Sequence, residues 1–212
     1  MKRARRIAAL VVAGAWLLPA SAAAQSEQLR DGWQRVPDLF AAAGVHAGAS
    51  IADIGAGEGF LTVRLAPAVG PTGKVYAVDV DAKIVATLRQ RLATAGMTNV
   101  EVVVGADDDP HLPIATLDGA LILNAYHEMA DGVSVLKHLY EALKPGGRLV
   151  LCEPTPRTPN QSRRAQMDDH VLDPVLMLED LQAAGFQVID RQDLFATNLG
   201  GNHFGFVAAK RP

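Results

Sequence analysis

Residues 49–60, Ala-Ser-Ile-Ala-Asp-Ile-Gly-Ala-Gly-Glu-Gly-Phe, constrain what this chain can fold into more than any other stretch. An apolar run carrying Asp53 breaks into three glycines at alternate positions, Gly55, Gly57 and Gly59. A short apolar run bounded by glycine predicts a buried strand, and glycines supply the backbone conformations that a tight turn requires. A helix that starts on such a turn directs its free N–H groups and the positive end of its dipole at whatever lies there. The turn is therefore expected to be the floor of a ligand site, with the rest of the chain as its walls.

Elsewhere, apolar segments with strand and helix character alternate. Strands are expected at 74–80, 100–104, 117–123 and 148–153, and helices at 60–66, 82–95, 132–143 and 174–184. Pro67 is expected to stop the first of these helices. A short helix at 36–43, between Pro37 and Gly44, precedes the glycine strand, and residues 25–35 read as a polar lead-in. Two further strands, 186–190 and 204–209, are separated by residues with no helical pattern, so a hairpin is expected and the last strand should run antiparallel. The resulting fold class is α/β: a Rossmann-like three-layer sandwich around a mostly parallel seven-stranded sheet. Residues 154–166, with Pro154, Pro156 and Pro159, form the one long irregular connection, which suggests a lid or substrate segment.

Several nucleotide ligands compete for the glycine turn. A phosphate loop of the Walker type fails, because no Gly-Lys-Ser/Thr follows. The dinucleotide fingerprint fits in part, since Phe60 stands where its third glycine belongs. Asp79 lies near the end of the second strand, where a carboxylate can accept both hydroxyls of an adenosine ribose. The plainer alternative is a strand-end aspartate that starts a turn.

Three segments together, Ile51-Ala-Asp-Ile-Gly-Ala-Gly-Glu-Gly59, Val75-Tyr-Ala-Val-Asp79 and Leu143-Lys-Pro-Gly-Gly-Arg-Leu149, resemble motifs of the class I S-adenosylmethionine (SAM)-dependent methyltransferases, in their usual order. The loop ending at Pro113 and Tyr126-His-Glu-Met129 resemble a bacterial branch of small methyltransferase-domain proteins. The resemblance implies SAM as cofactor, with Gly55, Gly57 and Gly59 beside its methionine half and Asp53 at the strand end. It also implies that Asp79 holds the ribose, that Asp107 or Asp108 meets the adenine amino group, and that Asn124 lines the methionine end. The motif after the fourth strand departs from the Asn/Asp-Pro-Pro-Tyr type of amine-methylating enzymes.

Methyl transfer asks little of a protein beyond alignment and removal of water, so a catalytic residue is not obligatory. Where a base is needed, His127 and Glu128 are the candidates, because they follow the fourth strand at the carboxyl edge of the sheet. Their alternative roles are packing and capping. His170 beside Asp168 and Asp169 raises a metal site, but a solvated acidic turn is the commoner outcome and no metal is expected.

Residues 1–24 read as a secretory signal peptide. Lys2, Arg3, Arg5 and Arg6 precede a short apolar run and then Ser21-Ala-Ala-Ala24, with cleavage expected after Ala24. The expected organisation is a leader and one domain at 25–212, exported to the periplasm, with no membrane span after cleavage. Without the leader, 16 basic residues face 23 acidic ones, a net charge of −7. That sign disfavours a nucleic-acid partner and leaves a small molecule as the expected methyl acceptor. Cys152, the single cysteine, excludes an intrachain disulfide and reads as a buried, inert thiol. SAM is a cytoplasmic metabolite, so two functions stay open for an exported chain. One is a methyltransferase; the other is a binding protein that holds SAM or another nucleoside without turnover.

Overall fold

The computed structural model of the protein describes residues 22–212, so all but the last three residues of the expected leader lie outside it. The described chain opens on a helix, α1 (Ala22–Gln34), where the sequence predicts only a polar lead-in. Its apolar face is slight, and charge holds it in place. Glu27 pairs with Arg64 and Arg91, Asp31 pairs with Arg64, and Trp33 packs on Phe204 with ring centroids 5.1 Å apart.

Beyond it run α2 (Val36–Ala43), β1 (Ser50–Ile54), α3 (Thr62–Val69), β2 (Lys74–Asp79), α4 (Ala82–Thr94), β3 (Val100–Val104) and β4 (Leu117–Leu123). A 3₁₀ turn (Tyr126–Glu128) leads into α5 (Gly132–Ala142), β5 (Leu143–Pro154), α6 (Arg163–Asp168), α7 (Pro174–Ala183), β6 (Gln187–Thr197) and β7 (His203–Lys210). One seven-stranded sheet has the order β3-β2-β1-β4-β5-β7-β6. Its first five strands are mutually parallel, and β7 runs antiparallel to both β5 and β6, as the hairpin expected at the end of the chain requires.

From Ile51 onward β1 is buried on both faces, which is why its sequence is apolar apart from Asp53 rather than alternating. Successive side chains serve opposite layers: Ala52 and Ile54 pack with Leu136, Leu139 and Leu151, whereas Ile51 packs with Leu39, Leu65 and Leu121. Strand order reverses between β1 and β4, so a crevice opens outside their carboxyl ends, the place where open α/β sheets bind ligands.

Several boundaries differ from expectation: β5 starts at Leu143 rather than 148, and α6 begins inside the connection expected to be irregular. Pro67 lies inside α3, which runs on to Val69. In so short a helix the proline removes one hydrogen bond, and the buried Leu65, Ala66 and Val69 hold the last turn by packing. Strand β6 is twice as long as its apolar core suggests, because it continues past Asp190 to Thr197 with register shifts along β7. Within the described residues no helix is long and apolar enough to cross a membrane.

Candidate functional site

The three glycines adopt left-handed backbone, with φ of 69° at Gly55, 54° at Gly57 and 88° at Gly59, yet they do different work. A side chain at Gly55 would overlap the Ala125 side chain, so this glycine lets the turn press against the loop after β4. A side chain at Gly57 would meet nothing within 4 Å and would protrude into open space. Gly59 instead faces Leu88 of α4 and serves helix packing; unlike Gly55 and Gly57, it lines none of the three cavities described next.

Three cavities, of about 450, 620 and 470 Å³, meet at Asn124. This residue directly follows β4 at φ 55°, a left-handed conformation that asparagine tolerates better than most residues. The first cavity lies between the glycine turn and α1, with Glu27, Arg30, Asp53 and Phe60 on its walls. Asp53 is almost fully buried and accepts a 2.6 Å hydrogen bond from Thr62 Oγ1. Burial pushes its carboxyl up to about 6, against the opposing effects of Thr62 and the nearby Arg30 cation. The Arg30 guanidinium sits 3.8 Å from the centre of the Phe60 ring, and desolvation, followed by the neighbouring Arg64 charge, lowers its pKa.

The second cavity runs from the glycine turn past the ends of β2 and β3, lined by Val78, Asp79, Val80, Asp107 and Met129. Asp79 accepts the Gly57 N–H at 2.9 Å and the Asp81 N–H at 3.0 Å, so its carboxylate is fixed against the turn. Asp107 lines this cavity and Asp108 does not. The third cavity lies over the carboxyl end of β5, among Thr155, Arg157, His170, Asn202 and Phe204. The proline-rich segment forms part of it, with Arg157 Nη2 donating to Asn202 Oδ1 at 2.7 Å.

The turn after β4 is held from behind by Glu153, fully buried at the end of β5. Its Oε1 accepts the N–H groups of Ala125 and Tyr126 at 2.9 Å each, and its Oε2 lies 2.5 Å from His127 Nδ1. Burial alone would depress the His127 pKa, but the hydrogen bond and charge of Glu153 outweigh it and raise it. His127 is buried and lines none of the three cavities, whereas Glu128 lines the second. His127 thus lines no cavity itself, but its Nε2 lies 3.6 Å from Glu128 Oε1, which does. Tyr126 donates to Asp180 Oδ2 at 2.9 Å, and Asp180 is gripped by Arg163 through two bonds of 2.8 Å. Burial, followed by the Asp180 charge, pushes the Tyr126 hydroxyl pKa upward. Cys152 is buried with its pKa raised by desolvation, in keeping with an inert thiol.

His170 does not gather with its sequence neighbours. Asp168 pairs with Arg164 and Asp169 accepts from Gln161, while His170 Nδ1 lies 3.4 Å from Glu128 Oε1. Sequence reasoning missed Arg30, Glu153 and Asp180. Of these only Glu153 gives a signal, as a charge that closes an otherwise apolar strand.

Residues 51–147 match a family model described as a methyltransferase domain. The ubiquinone/menaquinone biosynthesis C-methyltransferase UbiE of Hahella chejuensis is 34% identical over 111 residues, spanning 52% of this chain and 45% of that protein. The same enzyme of Escherichia coli is 33% identical over 111 residues and 44% of its length, so the chain spans less than half of the curated relatives it matches. Among solved structures, a SAM-dependent methyltransferase from Aquifex aeolicus superposes with a TM-score of 0.74 at 23% identity, over 86% of this chain and 93% of that one. Phosphoethanolamine N-methyltransferase 2 of Haemonchus contortus, solved with SAM, superposes with a TM-score of 0.67 at 16% identity, over 89% of this chain and 57% of that one.

Proposed function

We propose, from the premise that this chain belongs to the class I SAM-dependent methyltransferase family, that it transfers a methyl group from SAM to a small-molecule acceptor held in the third cavity. The observation that carries the proposal is the meeting of three cavities at Asn124. A cofactor laid across the glycine turn fills two of them and presents its reactive end to the third.

The residues present fit SAM. Gly57 leaves open the space that any side chain would take, and a cation and a carboxylate, Arg30 and Asp53, stand in the first cavity where a zwitterionic amino-acid group needs opposite partners. In the second, Asp79, each of whose oxygens accepts one backbone N–H, keeps lone pairs for ribose hydroxyls, Val80 offers an apolar surface to a flat base, and Asp107 can accept from an exocyclic amine. Bound SAM supplies a methyl carbon made electrophilic by its sulfonium. The chain's own part is to position and to exclude water. Helix α1 closes the amino-acid end through its ion pairs to Arg64 and Arg91, and Glu153 fixes the Asn124–Glu128 turn against which an acceptor lies. A holder of SAM without turnover has no use for a further cavity opening on the same asparagine, which favours the enzyme.

Calorimetry of SAM against the purified protein tests the first step. Absence of binding at millimolar ligand overturns the proposal. Asp79→Ala should weaken SAM by tenfold or more, since a ribose would lose its paired acceptor; unchanged affinity would show that the ribose lies elsewhere. A product screen over small thiols, phenols and carboxylates then separates enzyme from binder. We further propose export as one domain, residues 25–212, because cleavage after Ala24 keeps Glu27 and Arg30, which line the first cavity, and Asp31, which pairs with Arg64. N-terminal peptide mass from cells should begin at Gln25; a retained leader refutes it.

A further inference from the structure

His127, Glu128 and His170 converge on one point although the sequence divides them between two segments. Glu128 Oε1 lies 3.6 Å from His127 Nε2 and 3.4 Å from His170 Nδ1, and one ligand atom of each residue stands within 4.8 Å of the others. A divalent ion with bonds of about 2.1 Å holds neighbouring nitrogen and oxygen donors roughly 3.0–3.4 Å apart. The two separations from Glu128 are close to that spacing, and the one between the histidines is no more than 4.8 Å. Glu128 and His170 are mostly exposed, so rotation about their side-chain bonds can close the rest.

An independent observation lies behind the cluster. The fully buried Glu153 holds His127 Nδ1 at 2.5 Å, while its other oxygen is fixed by two backbone N–H groups. A carboxylate on Nδ1 keeps a proton there, so the neutral imidazole carries its lone pair on Nε2, the nitrogen 3.6 Å from Glu128 Oε1. Histidines that bind metals are oriented in this way, by a carboxylate on the nitrogen away from the ion. The His170 ring meets that of His127 edge to face with centroids 5.6 Å apart.

We propose that His127 Nε2, Glu128 and His170 Nδ1 bind one divalent transition-metal ion, as two imidazoles and a carboxylate that leave further coordination positions open. That donor set suits zinc, iron(II), cobalt or manganese better than calcium or magnesium, which prefer all-oxygen sites. Glu128 lines the second cavity and His170 the third, so the open positions face the region where cofactor and acceptor meet. An acceptor hydroxyl or thiol bound to the ion gives up its proton to water more easily. Its oxygen or sulfur then bonds the methyl carbon as the carbon–sulfonium bond breaks, releasing S-adenosylhomocysteine. This consequence rests on the methyl-transfer function proposed above; the metal site does not.

The test is a titration of chelator-treated, dialysed protein with Zn²⁺ by calorimetry and with Co²⁺ by absorption, in the absence of SAM or acceptor. One ion per chain and a raised melting temperature are expected. His170→Asn, at an exposed position whose backbone asparagine tolerates, should weaken binding at least tenfold with the circular dichroism spectrum unchanged. Glu153→Gln should weaken it by about 10- to 100-fold through the histidine it orients. No stoichiometric binding, or binding that His170→Asn and Glu128→Gln leave unaltered, overturns the proposal and leaves His127 as a bridge between Glu153 and Glu128. Because no methyl donor is present, failure here leaves the SAM titration untouched, and failure of that titration leaves this result standing.

Discussion

Replacement of Asp53 by asparagine should make the protein more stable and bind its cofactor less tightly, and the two effects have one origin. The carboxyl is pushed from the ordinary 3.8 up to about 6, by burial first, so its charge is disfavoured in the folded state. A displacement of about two units corresponds to roughly 3 kcal/mol at about 1.4 kcal/mol per unit. The sign follows from proton counts. Between about pH 4 and 6 the folded chain keeps a proton at Asp53 that the unfolded chain has lost, so stability falls as pH rises through this window and stays reduced above it. Asparagine cannot ionise, and its side-chain oxygen can still accept from Thr62 Oγ1. Asp53→Asn should therefore match the wild type near pH 4 and exceed it above pH 6, with a melting temperature higher by about 6–10 °C. Thermal melts of both proteins at pH 4.5 and 7.5 read this directly; a difference that is absent, or the same at both pH values, refutes the reasoning. If Asp53 meets the SAM ammonium, affinity for SAM should drop in the variant, and in the wild type it should fall as pH goes below about 6.

Arg30→Ala should raise the Kd for SAM by about tenfold or more, because a carboxylate loses its charged partner, while adenosine binding changes little; calorimetry with both ligands checks this. Gly55→Ala meets both a left-handed backbone and the Ala125 side chain, so a loss of about 2–5 kcal/mol is expected in urea unfolding. Tyr126→Phe removes one donor from Asp180, which keeps both bonds to Arg163, so stability should fall by only about 1–2 kcal/mol with SAM affinity unchanged.

The parts of the site that the sequence made legible are those whose partners are near in the chain or fixed by the sheet. The glycine turn follows β1 directly. Asp79 ends β2 and Asn124 follows β4, the strands on either side of β1, so a parallel sheet brings both to the crevice whatever the helices do. Side-chain direction is a different matter. Gly55, Gly57 and Gly59 look equivalent in one dimension, but the helical start turns Gly59 toward Leu88 and away from the crevice. Helix α1 escaped notice because its partners, Arg64 and Arg91, are distant in sequence and its own hydrophobic stripe is weak. The sequence reads His170 as part of a solvated acidic turn with Asp168 and Asp169 and not as a neighbour of Glu128; in the fold the two aspartates are diverted to Arg164 and Gln161, and the imidazole meets Glu128 instead.

Glu153 unites what remained separate. A carboxylate without solvent at a strand end is costly unless its lone pairs are used, and here backbone N–H groups and His127 use them. The same three bonds fix the turn that carries Asn124 to Glu128, the turn on which the three cavities meet. The buried polar group thus belongs to the site although it lines no part of it, and substituting it should disturb the acceptor side before it disturbs the cofactor side. Glu153→Gln retains an acceptor for the backbone groups, so it should leave SAM affinity within a few fold while weakening what His127, Glu128 and His170 bind together.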